Sequence, residues 1–202
     1  CLFTVSSQNI IEIHGVLNTE TNTLLVKQKI TYYNNSYSSL SELYFNDWSS
    51  SFSSPDSPLS QRFVEEYNGS LLNPKQKHRG FTSIQSVKNE QKTNLSYSYL
   101  ENQSDLFKIQ LDTTLLPYKS TSIFIEYTIQ IQSDRVTGYG VTNKKDYLLN
   151  YWYITPAVYK NSDCKLYSNK NLDNYYTTRS ERKLTLEIPK DYNPTTELNL
   201  KN

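Results

Sequence analysis

Between Ser122 and Ser133 the chain reads SIFIEYTIQIQS, with an aliphatic or aromatic residue at every second position. Ile123, Ile125, Tyr127, Ile129 and Ile131 share one face, and Phe124, Glu126, Thr128, Gln130 and Gln132 share the other. Successive side chains of a strand point to opposite faces, so this period of two predicts a half-buried strand; a helix could not bury the set on one side. LLVKQKITYY at Leu24–Tyr33 repeats the pattern, with Leu24, Val26, Ile30 and Tyr32 inward. Shorter runs alternate likewise: Phe107, Ile109 and Leu111; Leu95, Tyr97 and Tyr99; and Leu184, Leu186 and Ile188, which Pro189 ends. Ile11, Ile13 and Val16 with Leu17 predict a first strand, bulged at Gly15.

Polar breaks such as LNTETNT (Leu17–Thr23) and NNSYSS (Asn34–Ser39), and the Pro-led LPYKS (Leu116–Ser120), separate these runs. Strands at such spacing predict an all-β fold, an antiparallel β-sandwich. Trp48–Arg79 departs from the pattern with serine runs and three prolines, Pro55, Pro58 and Pro74. Within it PLSQRFVEEYNGS predicts one short helical excursion, capped by Asp56 or Ser57, with Phe63, Val64 and Tyr67 at helical spacing. This is an excursion between two strands rather than a linker between domains.

Composition narrows the class. The net charge of +1 leaves no bulk field for nucleic acid or an anionic membrane, so no nucleic-acid partner is expected. No stretch approaches the 18 or so apolar residues of a membrane helix, so no transmembrane span is expected. The 202 residues contain 18 Tyr and no Met. CLFTVSSQ at the start reads as the tail of a secretory signal peptide over 1–8, which leaves a single β domain over 9–202. The competing reading makes Cys1 a lipidated first residue. Either implies export, to the periplasm, the cell surface or the medium. A bond from Cys1 to Cys164 and a lone Cys164 thiol both stay open.

Catalytic chemistry is sparse. His14 and His78 are the two histidines, and neither opens an H-E-x-x-H zinc motif, which needs two His one helical turn apart. Five glycines form no phosphate-binding loop, and there is no G-x-S-x-G elbow. Glu65 and Glu66 read as the solvated face of the short helix. Asn34, Asn68, Asn94 and Asn102 open N-x-S sequons, which an Asn- and Ser-rich chain produces by chance. No catalytic residue, metal ligand or cofactor is assigned within the chain. What stands out is aromatic: DYLLNYWYITPAVYKNSD at Asp146–Asp163. Such surface suits packing against a partner or stacking on sugar rings.

That stretch carries a family resemblance. YWYITPAVY, with VKQKITYYNNS at Val26–Ser36, LSELYFNDW at Leu40–Trp48, RGFTSIQSV at Arg79–Val87, RVTGYG at Arg135–Gly140 and IPKDY at Ile188–Tyr192, resembles in order and spacing the N-terminal β domain of bacterial aminopeptidase N-like zinc metallopeptidases. The resemblance implies a saddle-like β domain ahead of a catalytic domain in the same polypeptide. There an H-E-x-x-H motif would hold zinc and hydrolyse a peptide substrate. It also implies that a Gln-x-Glu segment of the β domain reaches the cleft. Here Tyr151 stands at the Gln position and Tyr153 at the Glu position, so no carboxylate is offered to a substrate amino group. Tyr151, Trp152, Tyr153 and Tyr159 are thus the candidates for a cleft-lining or domain-interface surface. The alternative from another class is a free-standing secreted binding or adhesion module.

Overall fold

The computed structural model describes residues 8–72, 78–135, 137–160, 163–172 and 176–196. Residues 1–7, most of the stretch over 1–8 where a signal-peptide tail is expected, lie outside the described residues, and with them Cys1 and any bond of it to Cys164. In chain order the strands are β1 (Asn9–Asn18), β2 (Thr23–Tyr33), β3 (Leu40–Asn46), β4 (Phe81–Lys88), β5 (Tyr97–Leu100), β6 (Gln103–Leu115) and β7 (Ser120–Gln130). Six more follow: β8 (Gly140–Val141), β9 (Tyr147–Leu148), β10 (Thr155–Pro156), β11 (Val158–Lys160), β12 (Asp163–Lys165) and β13 (Ser180–Glu187). A 3-10 turn at Trp48–Phe52 and the helix α1 (Pro58–Glu65) lie between β3 and β4, where the excursion was expected.

Two sheets form the body of the fold, a five-stranded one in the order β13-β1-β2-β7-β4 and a four-stranded one in the order β10-β3-β6-β5. Pairing is antiparallel except at one edge, where β13 runs parallel to β1. A parallel pair needs a long crossover, and the chain between β7 and β13 provides it. The alternation read from the sequence is the core. Ile123, Ile125 and Tyr127 on β7 and Val26 and Ile30 on β2 face Leu43, Phe45, Phe107 and Ile109 of the other sheet in one apolar cluster. Phe45 and Phe107 stack with centroids 5.4 Å apart. Each aliphatic side chain buried there contributes about 1.5–3 kcal/mol.

Several local expectations change. β1 keeps its register through Gly15, with no bulge. Gly15 is instead a matter of space: a Cβ there would sit 3.0 Å from Leu186 Cδ1 and 3.5 Å from Leu24 Cδ1. Val16 consequently faces outward while Leu17 is buried. In α1 the buried positions are Leu59 and Ser60; Phe63 packs at the edge of a small cluster with Phe52, Leu59 and Leu71, whereas Val64 and Tyr67 are exposed. The helix is too short to bury a stripe of three. Its cap is Ser57, whose hydroxyl accepts from the Ser60 amide at 3.2 Å. Glu65 and Glu66 pair with Arg62 at the surface, as a solvated face should. Tyr97 and Tyr99 alternate with buried Leu95, yet both are more than a third exposed because β5 is an edge strand.

Asn34 is no sugar acceptor in the fold. Its Nδ2 donates to Ser38 O at 2.8 Å and to the carbonyls of Leu115 and Leu116, and its Oδ1 accepts from Ser36. It is 1% exposed and staples two turns together. His14 also has a structural place, on β1, where Nε2 lies 2.8 Å from Glu187 Oε1 on β13.

Candidate functional site

The segment YWYITPAVY begins outside the sandwich and ends inside it. Ile154, Thr155, Pro156, Ala157 and Val158 are all buried. β10 pairs with β3, Thr155 opposite Asn46 and Pro156 opposite Phe45, and the Ala157 amide donates to Tyr44 O at 2.8 Å. Proline is tolerated because this is the edge of the sheet, where a missing donor breaks no ladder. A polar network fixes the entry. Gln28 Nε2 donates to Ile154 O at 2.6 Å, the Tyr127 hydroxyl donates to Gln28 Oε1, and the Ile154 amide donates to the Tyr127 oxygen at 3.3 Å. Gln28 takes an inward position in the alternation of β2, where an apolar residue would leave Ile154 O without that donor.

The four candidate aromatics are not one patch. Tyr151 takes φ +48°, unusual for a bulky residue, which turns its ring edge-on to Trp48 with centroids 5.2 Å apart. Together with Trp152, Leu24, Ile129, Tyr139 and Asn169 these rings line a cavity of about 30 Å³. That holds one or two waters, far below the 300 Å³ or more of a small-molecule pocket. Gly140 allows its wall to close: at φ +119°, a Cβ there would lie 2.1 Å from Gln132 O. Trp152 O accepts from Ser49 Oγ at 3.0 Å, and the indole meets Tyr153 edge-on at 5.4 Å. Tyr153 sits beneath the Arg182 guanidinium, 6.0 Å from its ring centroid, and burial pushes its phenol pKa upward. Tyr159 lies opposite Cys164 on the β11–β12 hairpin, beside Tyr32. All four are half-buried and pack on the core or on the cavity. Tyr151, Trp152 and Tyr153 are neighbours; Tyr159 stands apart.

A second constellation went unread in the sequence. Asp47 and Asp105, 1% and 0% exposed, meet where β3 and β6 end, with the Asp47 amide donating to Asp105 O at 2.8 Å. Asp47 Oδ1 accepts from Thr82 Oγ1 at 2.6 Å, and its Oδ2 from Ser50 Oγ at 2.7 Å and the Tyr99 hydroxyl at 2.8 Å. Asp105 Oδ2 accepts from the Asn169 amide at 2.5 Å and Ser51 Oγ at 3.2 Å. Among the described residues neither acid has an ion-pair partner. Burial therefore pushes both carboxyl pKa values up, against the opposing effect of their hydrogen bonds. One signal was available: Asp105 has the same parity as Phe107, Ile109 and Leu111, so the alternation aims it inward.

Among the described residues no three His, Cys, Asp or Glu side chains converge on a point that could hold a metal ion. No helix among them is long and apolar enough to cross a membrane.

No protein-family model matches the chain, and no curated protein matches it. Among solved structures it is similar to an M1 zinc metallopeptidase from Deinococcus radiodurans, at TM-score 0.38 and 8% identity over 62% of this chain and 21% of that one. A mutant of a two-domain M1 zinc metallopeptidase bound to L-arginine gives the same figures, TM-score 0.38, 8%, 62% and 21%. The chain thus spans about a fifth of the length of the solved structures it matches.

Proposed function

We propose that this chain is the non-catalytic β domain of an exported zinc metallopeptidase, packing against a catalytic domain of the same polypeptide and shaping its peptide cleft. The observation that carries this reading is how the aromatic segment is mounted. Ile154–Val158 are locked into the sandwich edge, while Tyr151, Trp152 and Tyr153 sit half-buried at its mouth on a backbone fixed by Gln28, Tyr127 and Ser49. Rigid aromatics on a strand anchor suit an interface, since little rotamer freedom is lost on contact. On this reading zinc and the H-E-x-x-H chemistry belong to the partner domain. Tyr153, a phenol where the family resemblance expects an acid, would stack on a peptide side chain rather than bind an amino group.

The test is the polypeptide encoded by the whole gene. It should contain one zinc and hydrolyse peptides. Trp152→Ala and Tyr153→Ala should raise KM several-fold while zinc content stays unchanged. A full-length protein that binds no zinc sinks the proposal. A free-standing binding module is the second reading, favoured by the exposed Tyr37–Tyr118 pair, edge-on at 5.7 Å with Tyr37 86% exposed. Glycan or peptide binding by the isolated chain, abolished by Trp152→Ala or Tyr37→Ala, would support that reading instead.

A further inference from the structure

Asn68 and Gly69 form the one Asn-Gly pair in the sequence, and they sit just past the end of α1. Glu66 is the C-cap of the helix, and Tyr67 follows it in the left-handed region at φ +60°. The Tyr67 amide donates to Val64 O at 2.9 Å, and the Asn68 amide donates to Phe63 O at 2.8 Å. These are the two bonds of a Schellman cap, so the backbone at Asn68 is anchored to the helix. Its side chain is anchored as well, because Oδ1 accepts from the Ser70 amide at 3.0 Å. That Asx turn folds the side-chain amide back over the peptide that follows it, towards the Gly69 nitrogen. Asn68, Gly69 and Ser70 are all exposed, so water and base reach the turn. Gly69 carries no Cβ to shield its nitrogen.

We propose that Asn68 is a self-modifying site, converted without an enzyme to a mixture of isoaspartate and aspartate. Base removes the Gly69 amide proton, and the nitrogen attacks Asn68 Cγ. The N–Cγ bond forms, the Cγ–Nδ2 bond breaks, and the leaving nitrogen takes up a proton to depart as ammonia. Water then adds to either carbonyl of the resulting succinimide and opens it to isoaspartate or aspartate. Nothing is oxidised or reduced. Negative charge gathers on Oδ1 during the attack, and the Ser70 N–H already donates to that oxygen, as a preorganised donor must. The product places a carboxylate just past the C-terminus of α1, the negative end of the helix dipole. Isoaspartate also adds a backbone carbon between the cap and Leu71, which is 3% exposed and packs with Phe52 and Leu59. Conversion to isoaspartate therefore loosens the anchor that Leu71 provides.

The experiment is incubation of the full chain under native conditions, followed by peptide mass mapping and by labelling with an isoaspartate methyltransferase. The peptide holding Asn68 should lose its amide, release ammonia and yield more isoaspartate than aspartate, faster in mildly alkaline than in mildly acidic buffer. Gly69→Ala should slow the conversion several-fold and keep the fold, since an added Cβ would lie 3.8 Å from Leu72 Cδ1, an ordinary contact. Asn68→Gln should stay intact over the same period, because its longer side chain closes the ring less readily. The isoaspartate fraction should unfold at a lower temperature than the unconverted chain. Asn68 still present as an amide once the same stretch as a free peptide has fully converted overturns the proposal. So does aspartate formed without isoaspartate, which means direct hydrolysis, or a Gly69→Ala chain that converts as fast as the wild type. An isoaspartate fraction with an unchanged Tm overturns the loosening at Leu71.

Discussion

The β10-β3-β6-β5 sheet carries two tyrosine–carboxylate contacts, one open to solvent beside a lysine and one buried among hydroxyls. On the outer face the Tyr44 hydroxyl donates to Glu42 Oε1, and Lys108 Nζ lies 2.9 Å from Glu42 Oε2. At the inner end the Tyr99 hydroxyl donates to Asp47 Oδ2 at 2.8 Å, with serine and threonine hydroxyls where the outer pair has a lysine. In the outer pair the Tyr44 hydroxyl and then the ammonium hold the Glu42 carboxyl below its ordinary range. In the inner pair burial overrides three hydrogen bonds and pushes Asp47 above it. Hydrogen bonding to the charged form and desolvation act in opposite directions. The lesson is that the same two functional groups change the sign of their pH response with burial and the presence of a cation.

The largest expected effect separates the pairs by removing each acid. Asp47→Ala leaves the hydroxyls of Ser50, Thr82 and Tyr99 without their acceptor at a buried site, at a cost of about 3 kcal/mol in urea unfolding. Glu42→Ala faces water and loses less than about 1 kcal/mol. Equal costs would mean that the inner site is hydrated and the comparison fails.

The pH dependence comes next in size. Asp47 and Asp105 have folded pKa values raised above their unfolded ones, so the folded state binds extra proton. Their contribution is fully present below the unfolded value, about 3.9, and is lost as pH rises through the folded values. Glu42 has a lowered folded pKa, so its contribution is present above its unfolded value and is lost as pH falls through the folded one. Asp105→Asn should therefore flatten the loss of stability on raising pH from about 4 towards neutrality. Glu42→Gln should leave that limb and flatten only the acid one. Unfolding midpoints measured across pH decide this, and an unchanged neutral limb in Asp105→Asn would show Asp105 to be ionised in the fold.

How much of this was legible follows from what periodicity can carry. The β2 and β7 cores are legible residue by residue, because Ile123–Ile131 alternate without interruption and Leu24, Val26, Ile30 and Tyr32 with the single polar break of Gln28. The short helix was legible from its proline start and a cap at Asp56 or Ser57, of which Ser57 caps it, but not from the spacing of Phe63, Val64 and Tyr67, since Val64 and Tyr67 are exposed. The Gly15 bulge was misread because the sequence shows a small residue but not the Leu186 side chain that requires it, which arrives from β13, far along the chain. The surface of the aromatic segment is legible but its partition is not: burial of Ile154–Val158 depends on Gln28 and on the edge of β3. The Asp47–Asp105 site draws on Ser50, Thr82, Tyr99 and Asn169, which no spacing rule connects, although an acid on the inward parity of β6 was a mark to follow.

The smallest effect tests the phenols themselves. Tyr44 is pushed up to about 12, first by its hydrogen bond to the Glu42 carboxylate and then by burial. Removing the carboxylate should return most of that shift: in Glu42→Gln, phenolate absorbance should report one tyrosine moving down towards the ordinary value of about 10. Tyr44→Phe should cost roughly 0.5 kcal/mol or less, since both partners remain hydrated. Tyr99→Phe should cost about 1–2 kcal/mol, because Asp47 then loses a donor that water cannot replace. Tyr99 is held high first by burial and next by the Asp47 carboxylate, so Asp47→Asn should lower it in part and leave it raised. If both phenols shifted equally when their acids were neutralised, hydrogen bonding rather than desolvation would set the inner pair, and the contrast between the two contacts would collapse.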